Sequence, residues 1–170
     1  MLTVRDHQSG DLFDPWEFLG PQRRKLLERS WAGVFRDYLL QYLPVKELAA
    51  SFRDDFGRPS KDLHVALGAL ILQQLHDLTD QQTTEAVALN IAWHYALDVR
   101  YESDAYLCER TLRNYRIKIL ELGLDAVLFR SERTVNPTPL IAAGFTATSR
   151  AFRGRRRRFV RRTRAGRTAR

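Results

Sequence analysis

Gly57 to Leu78 reads G-R-P-S-K-D-L-H-V-A-L-G-A-L-I-L-Q-Q-L-H-D-L, and this stretch decides the fold class. Gly57 and Pro59 interrupt whatever precedes them, and Ser60 is placed to cap a helix. Asp62 falls near the positive end of that helix's dipole. Leu63, Leu67, Leu70, Ile71, Gln74 and Leu78 recur at three- and four-residue steps, and Ala66, Ala69, Leu72 and Leu75 widen the stripe. A band this wide predicts a helix covered on most of its circumference, at the centre of an all-α domain. Gly68 costs about 1 kcal/mol against Ala inside a helix, so its presence points to a neighbour in close approach. The apolar run is far short of the roughly 20 residues that cross a bilayer, and Gln73, Gln74, His76 and Asp77 close it.

Upstream, residues 1–14 read as a polar arm, with Phe13, Trp16, Phe18 and Leu19 as contacts that tack it to the body and Gly20-Pro21 as a break. Helical spacing then joins Leu27, Trp31, Val34, Phe35, Tyr38, Leu39 and Tyr42 in one predicted helix from Gln22 to Tyr42, with those side chains in the core. Pro44 suits the first turn of a short helix ending by Phe52. Downstream, Thr79 and Gln82 have the spacing of a capping box. Thr83, Val87 and Leu89 follow in a short helix, then one or two turns carry Ile91 to Leu97. After a loop, Glu109 to Leu122 forms a helix with Leu112, Tyr115, Ile119 and Leu122 inward, terminated by Gly123. One more apolar turn runs to Phe129. The helical domain is thus expected over residues 15–130, and residues 131–170 are expected to be a disordered basic tail, because periodicity ends at Thr134 and an arginine-dense segment cannot pack.

The charge is unevenly placed. Of 28 basic side chains, 11 are arginines from Arg150 onward, with no lysine and no acid among them. Residues 1–149 keep 17 basic against 20 acidic side chains, so the body is mildly acidic and a high isoelectric point says nothing about it. The single cysteine, Cys108, excludes an internal disulfide and fits a reducing compartment. The N-terminus lacks an apolar signal region, which places the chain in the cytoplasm. His7, His64, His76 and His94 lack ligand spacing, and no phosphate loop or nucleophile elbow is present, so neither metal nor cofactor is expected. His76 beside Asp77 reads as a cation at a helix C-terminus.

One segment carries a sharper signal. In C-E-R-T-L-R-N-Y-R-I-K-I the apolar positions leave Arg110, Arg113, Asn114, Arg116 and Lys118 on the remaining surface, with Thr111 able to donate to a phosphate. Arginine and asparagine are the side chains best shaped for guanine and adenine edges in the major groove. With the helix from Thr83 this one could form a helix-turn-helix-like pair, although the loop exceeds the usual turn. Spacing alone favours the plainer reading, an amphipathic helix with a solvated basic face.

The ordered set G-R-P-S-K-D…L-I-L-Q-Q-L-H-D-L-T-D-Q-Q…N-I-A-W-H-Y-A-L-D-V…L-C-E-R-T-L-R-N-Y-R resembles the N-terminal domain of bacterial insertion-sequence transposases of the InsH type, over about Phe13 to Phe129. A family segment of the form D-x-S/T-L-x-x-F/Y-R is matched by Glu109, Thr111, Leu112, Tyr115 and Arg116. The resemblance implies a domain that binds insertion-sequence ends and assembles, self-association included, ahead of a catalytic domain with an Asp-Asp-Glu metal-binding triad. The DNA contacts expected are Arg110, Thr111, Arg113, Asn114, Arg116 and Lys118 of that segment, together with Arg58 and Lys61. Arg155, Arg156, Arg157, Arg158, Arg161 and Arg162 would add non-specific attraction to phosphates. Nothing after Phe129 resembles the catalytic domain, and an all-arginine tail rich in Gly, Ala and Thr is what GC-rich DNA gives in a shifted frame. The expectation is therefore a truncated or frameshifted transposase fragment that binds DNA without strand transfer, with no membrane or small-molecule partner. The other readings are a small nucleic-acid-binding regulator using its arginine tail, and a non-functional pseudogene product.

Overall fold

The structure, a computed structural model, describes residues 4, 14–52, 61–128, 158, 159 and 161. Among them the architecture is all-helical, as the spacing predicts. Helices α1 (Gly20–Arg29), α2 (Trp31–Tyr38) and α3 (Val45–Ala49) precede α4 (Leu63–Leu75), which is followed by α5 (Asp80–Leu89), α6 (Ile91–Leu97) and α7 (Glu109–Glu121). Short 3-10 turns over Glu17–Leu19 and Leu40–Tyr42 lead into α1 and α3.

Helix α4 occupies the centre. From Val65 to Gln74 every residue is buried, and α3, α5, α6 and α7 all pack on it. Burial on every side is what its broad apolar band requires. Its cap differs from expectation: Asp62, not Ser60, is the N-cap, and its carboxylate accepts the His64 amide at 2.9 Å. Ser60 lies outside the described residues. Asp62 wins because it directly precedes the first helical residue, where a side-chain acceptor reaches the second amide of the turn. Gly68 does mark a close approach: a Cβ there would meet Leu97 Cδ2 of α6 at 2.4 Å.

The expected helix from Gln22 to Tyr42 is broken in two. Ser30 is extended (φ −84°, ψ 176°); its hydroxyl accepts the Ala32 amide at 3.1 Å and donates to the Leu27 carbonyl at 2.7 Å. Ser30 thereby ends α1 and caps α2. The break turns the apolar side chains to different sides. Phe35 and Leu39 are buried, Trp31, Val34 and Leu27 are partly covered, and Tyr38 and Tyr42 stand exposed rather than in the core. Helix α2 then lies along α6. Of the arm's anchors, Trp16 and Leu19 are buried while Phe18 is exposed, and Phe13 lies outside the described residues.

Downstream boundaries follow the sequence reading closely. Thr79 and Gln82 form the capping box at α5, and Asn90 caps α6 through the Ala92 amide at 2.9 Å. Leu89, expected to pack, is exposed, as is Leu122, because both sit where a helix ends and its stripe leaves the core. Gly123 adopts φ +66° just beyond α7, the left-handed conformation glycine takes without a Cβ penalty. Residues 125–128 add one more helical turn. His76, at the C-cap of α4, lies between Trp31 and Trp93, with ring centroids 4.7 and 6.0 Å away.

The expected tail lies outside the described residues except at Arg158, Phe159 and Arg161. Phe159 is 1% exposed and joins the core cluster, a packed position that no periodicity after Thr134 announces. Arg158 pairs with Asp77 at 2.7 Å on the surface.

Candidate nucleic-acid interface

Helix α7 divides into two faces by its own sequence. Leu112, Tyr115, Arg116 and Ile119 recur at three- and four-residue steps and are buried against α4 and α5. Arg110, Arg113 and Asn114 lie on the other side and are exposed. Arg110 stands three residues from Arg113 and four from Asn114, so the three side chains share one surface about a turn long.

The anchoring of this face is unusually polar. Arg116, expected on the surface with its neighbours, is buried instead. Its Nη2 donates to Asp80 Oδ1 at 2.6 Å and to Gln73 Oε1 at 2.9 Å, and Nη1 reaches Asp80 Oδ2 at 3.3 Å. Gln73 Nε2 also donates to Asp80 Oδ1 at 2.8 Å, which closes the set. The Phe159 ring covers the guanidinium, with its centroid 5.9 Å from Cζ. The reason lies in the spacing: Arg116 is four residues after Leu112 and three before Ile119, so it falls inside the apolar stripe. A charge there survives only if paired and hydrogen-bonded. Arg116 therefore fastens α7 to the start of α5 and the end of α4, and it is withdrawn from any surface that could meet DNA.

The remaining candidates divide. Lys118 is half-buried, its ammonium over the Phe52 ring at 5.6 Å. Phe52 in turn lies against Tyr115, ring centroids 5.9 Å apart. The Thr111 hydroxyl lies 3.1 Å from Cys108 Sγ, at the start of α7. That contact, with the Thr111 and Arg110 amides, holds the exposed Cys108 thiol below its ordinary pKa. Lys61 donates to the Ser103 carbonyl and so braces the loop between α6 and α7. Arg58, Arg155, Arg156, Arg157 and Arg162 lie outside the described residues, while Arg158 and Arg161 are exposed.

The connection into α7 is built rather than slack. Asp98 takes a left-handed conformation at the end of α6 (φ 51°) and is 1% exposed. Its Oδ1 pairs with Arg36 of α2 at 2.9 Å, and its Oδ2 accepts from Arg100 Nη2 at 2.6 Å. Trp16 Nε1 adds a contact at 3.4 Å. Sequence reading assigned nothing to this carboxylate. The one signal for it was an Asp directly after an aromatic-rich helix, two residues before an arginine. Helices α5 and α7 do pack together, but the segment between α6 and α7 spans residues 98–108, longer than the three- to four-residue turn of a helix-turn-helix.

Among the described residues no group of three or more His, Cys, Asp and Glu side chains is arranged to hold a metal ion, and no helix is long and apolar enough to cross a membrane. No curated protein and no solved structure matches the chain. The profile of one family does: residues 25–118 match the family described as Transposase domain (DUF772). That match spans most of α1 to α7, the two-faced helix included. More than half of the chain lies within it, and the chain belongs to this transposase-domain family.

Proposed function

We propose that the helical body is the DNA-engaging domain of a transposase and that the exposed side of α7 reads insertion-sequence ends. The observation that carries this reading is the contrast within one helix. Arg116 is locked inward with Asp80 and Gln73, while Arg110, Arg113 and Asn114 are left exposed on a fixed frame. A rigid helix presenting Arg and Asn is the arrangement that bidentate contacts to guanine and adenine need. Lys118 and Thr111 flank that surface and suit phosphate contacts. The arginines of the tail supply attraction without sequence preference.

Strand transfer lies outside this role. Two-metal phosphodiester chemistry needs a cluster of carboxylates, and residues 129–170 contain one acid, Glu132. In this reading the helical body engages DNA and leaves the cutting chemistry to other residues.

The test compares Arg113→Ala and Asn114→Ala with the parent on an insertion-sequence end and on a scrambled duplex. Loss of about 1–3 kcal/mol on the end sequence alone is the expected result. Equal affinities of parent and variants on both duplexes would remove the DNA-reading role from α7.

A further inference from the structure

A second cationic surface lies on α1, far from α7 in sequence. Among the described residues this helix packs chiefly on α2 and on the turn over Glu17–Leu19, and none of its residues is buried. Within ten residues it carries Arg23, Arg24, Lys25 and Arg29 against a single acid, Glu28, in a body that is otherwise net acidic. Glu28 is already used: it accepts Arg24 Nε at 3.0 Å, and Arg24 also meets Asp14. Arg23, Lys25 and Arg29 are exposed and have no ion-pair partner among the described residues.

Helical geometry brings two of these exposed cations together. At 100° per residue, Lys25 and Arg29 stand side by side four apart with Gln22 next to them, whereas Arg23 lies beside half-buried Leu27 on the other side of the helix. Leu27, half-buried, points the opposite way, toward α2. The first turn holds no acid, and no side chain caps it, so the dipole adds to the positive field at that end. An exposed helix whose only acid is consumed by the one cation next to the body is poorly explained by packing. A pair of exposed cations with the amide-bearing Gln22 beside them fits the phosphates of a nucleic-acid backbone.

We infer that the outer face of α1, formed by Lys25 and Arg29 with Gln22 beside them, is a phosphate-backbone contact surface for duplex DNA, separate from α7. The inference rests on the reading of the body as a DNA-engaging domain. Its contribution is sequence-independent: it neutralises phosphates and releases counterions, while base recognition stays on α7.

The test uses the full chain and a short duplex of arbitrary sequence. The chain has four lysines, Lys25, Lys46, Lys61 and Lys118, and none in the arginine tail, so lysine acetylation read by mass spectrometry is blind to the tail. Lys25 and Lys46 are both exposed, which makes Lys46 of α3 the internal control. Lys25 is expected to be protected by duplex while Lys46 reacts as before. In parallel, the double variant Lys25→Gln, Arg29→Gln should fold as the parent does. It should lower the magnitude of the slope of log K against log salt by about 2, because each phosphate left without its cation takes roughly 0.9 from that slope. Equal Lys25 reactivity with and without duplex, or an unchanged slope in a folded variant, overturns the inference. Protection by single-stranded RNA but not by duplex overturns it as well. The α7 reading fails on a different measurement, the end-against-scrambled comparison for Arg113 and Asn114, so the two outcomes separate.

Discussion

Arg116 of α7 and Asp80 of α5 are joined by two hydrogen bonds, 2.6 and 3.3 Å long, inside the helical body. The pair spans 36 residues of sequence and ties the helix proposed to read DNA to a neighbour it packs against. Gln73 of α4 completes the link, so three helices meet at one guanidinium. A helix that must hold three side chains in register on its outer surface gains from such a fixed inner contact.

Removing the guanidinium should be costly. Arg116→Ala leaves Asp80 and Gln73 with unmet hydrogen bonds and opens a cavity. Breaking a buried pair from one side typically costs about 3–5 kcal/mol, and the lower end applies here because Asp80 is 22% exposed. Urea denaturation measures it. A variant as stable as the parent, yet weaker on DNA, would return Arg116 to the surface role that its sequence neighbours suggest.

Phe159→Ala should also destabilise the body. The ring is 1% exposed and covers Arg116, so truncation removes both apolar burial and the shield over a buried charge. Full-core Phe→Ala changes cost about 3–5 kcal/mol, and a contact made by a single residue far along the chain falls at or below that range. Thermal melts of parent and variant decide it. Superimposable melts would mean that Phe159 adds nothing to the helical body.

Much of this fold is readable from local rules, and the exceptions share a cause. The capping box at Thr79, the glycine stop at Gly123 and the close approach at Gly68 each depend on chemistry within a few residues or on a cost that needs a neighbour. The break at Ser30 escapes because the apolar spacing from Leu27 to Leu39 continues unbroken through it. Only a serine in capping position, followed three residues later by Gly33, hints at it. Arg116 escapes for a different reason. Its position within the stripe is legible, but its partner Asp80 lies 36 residues away, and nothing local distinguishes a paired arginine from a solvated one. The exposed row Arg110, Arg113, Asn114 is legible because the complementary apolar face defines it. On α1 the sequence places Arg23, Arg24, Lys25 and Arg29 off the apolar face, but a continuous helix to Tyr42 hides that this segment stands apart from the core.

Alkaline pH should unfold the body through Tyr115. Burial pushes its hydroxyl from 10.0 up to about 12, with the Asp62 charge adding to the effect. The folded pKa lies above the unfolded one, so the associated stability is fully present below pH 10 and is lost as pH rises toward about 12. Tyr115→Phe keeps the ring and removes the ionisation. Its urea midpoint should match the parent near neutrality and fall less steeply between pH 10 and 12. Identical alkaline profiles would show that ionisation of Tyr115 does not drive the loss.

Gly33 sets where α1 lies. A Cβ there would sit 2.2 Å from the Glu28 carbonyl oxygen and 2.7 Å from its carbon, both backbone atoms of α1. No rotamer change relieves a clash with backbone, so Gly33→Ala must displace the end of α1 or the start of α2. Helix propensity favours the alanine by up to about 1 kcal/mol, and a forced backbone shift of this kind costs about 1–3 kcal/mol, so the clash should win. A lower melting temperature is the first expected result. The second concerns function: because Arg29 stands four residues before Gly33, the shift should also disturb the Lys25–Arg29 row and weaken duplex binding at low salt. Gly68→Ala is the comparison, since its Cβ would meet the side-chain end of Leu97 and leave α1 untouched. Should both variants lose stability while only Gly33→Ala loses salt-dependent DNA affinity, the position of α1 matters for binding. An unshifted melt for Gly33→Ala would contradict the close helix junction itself.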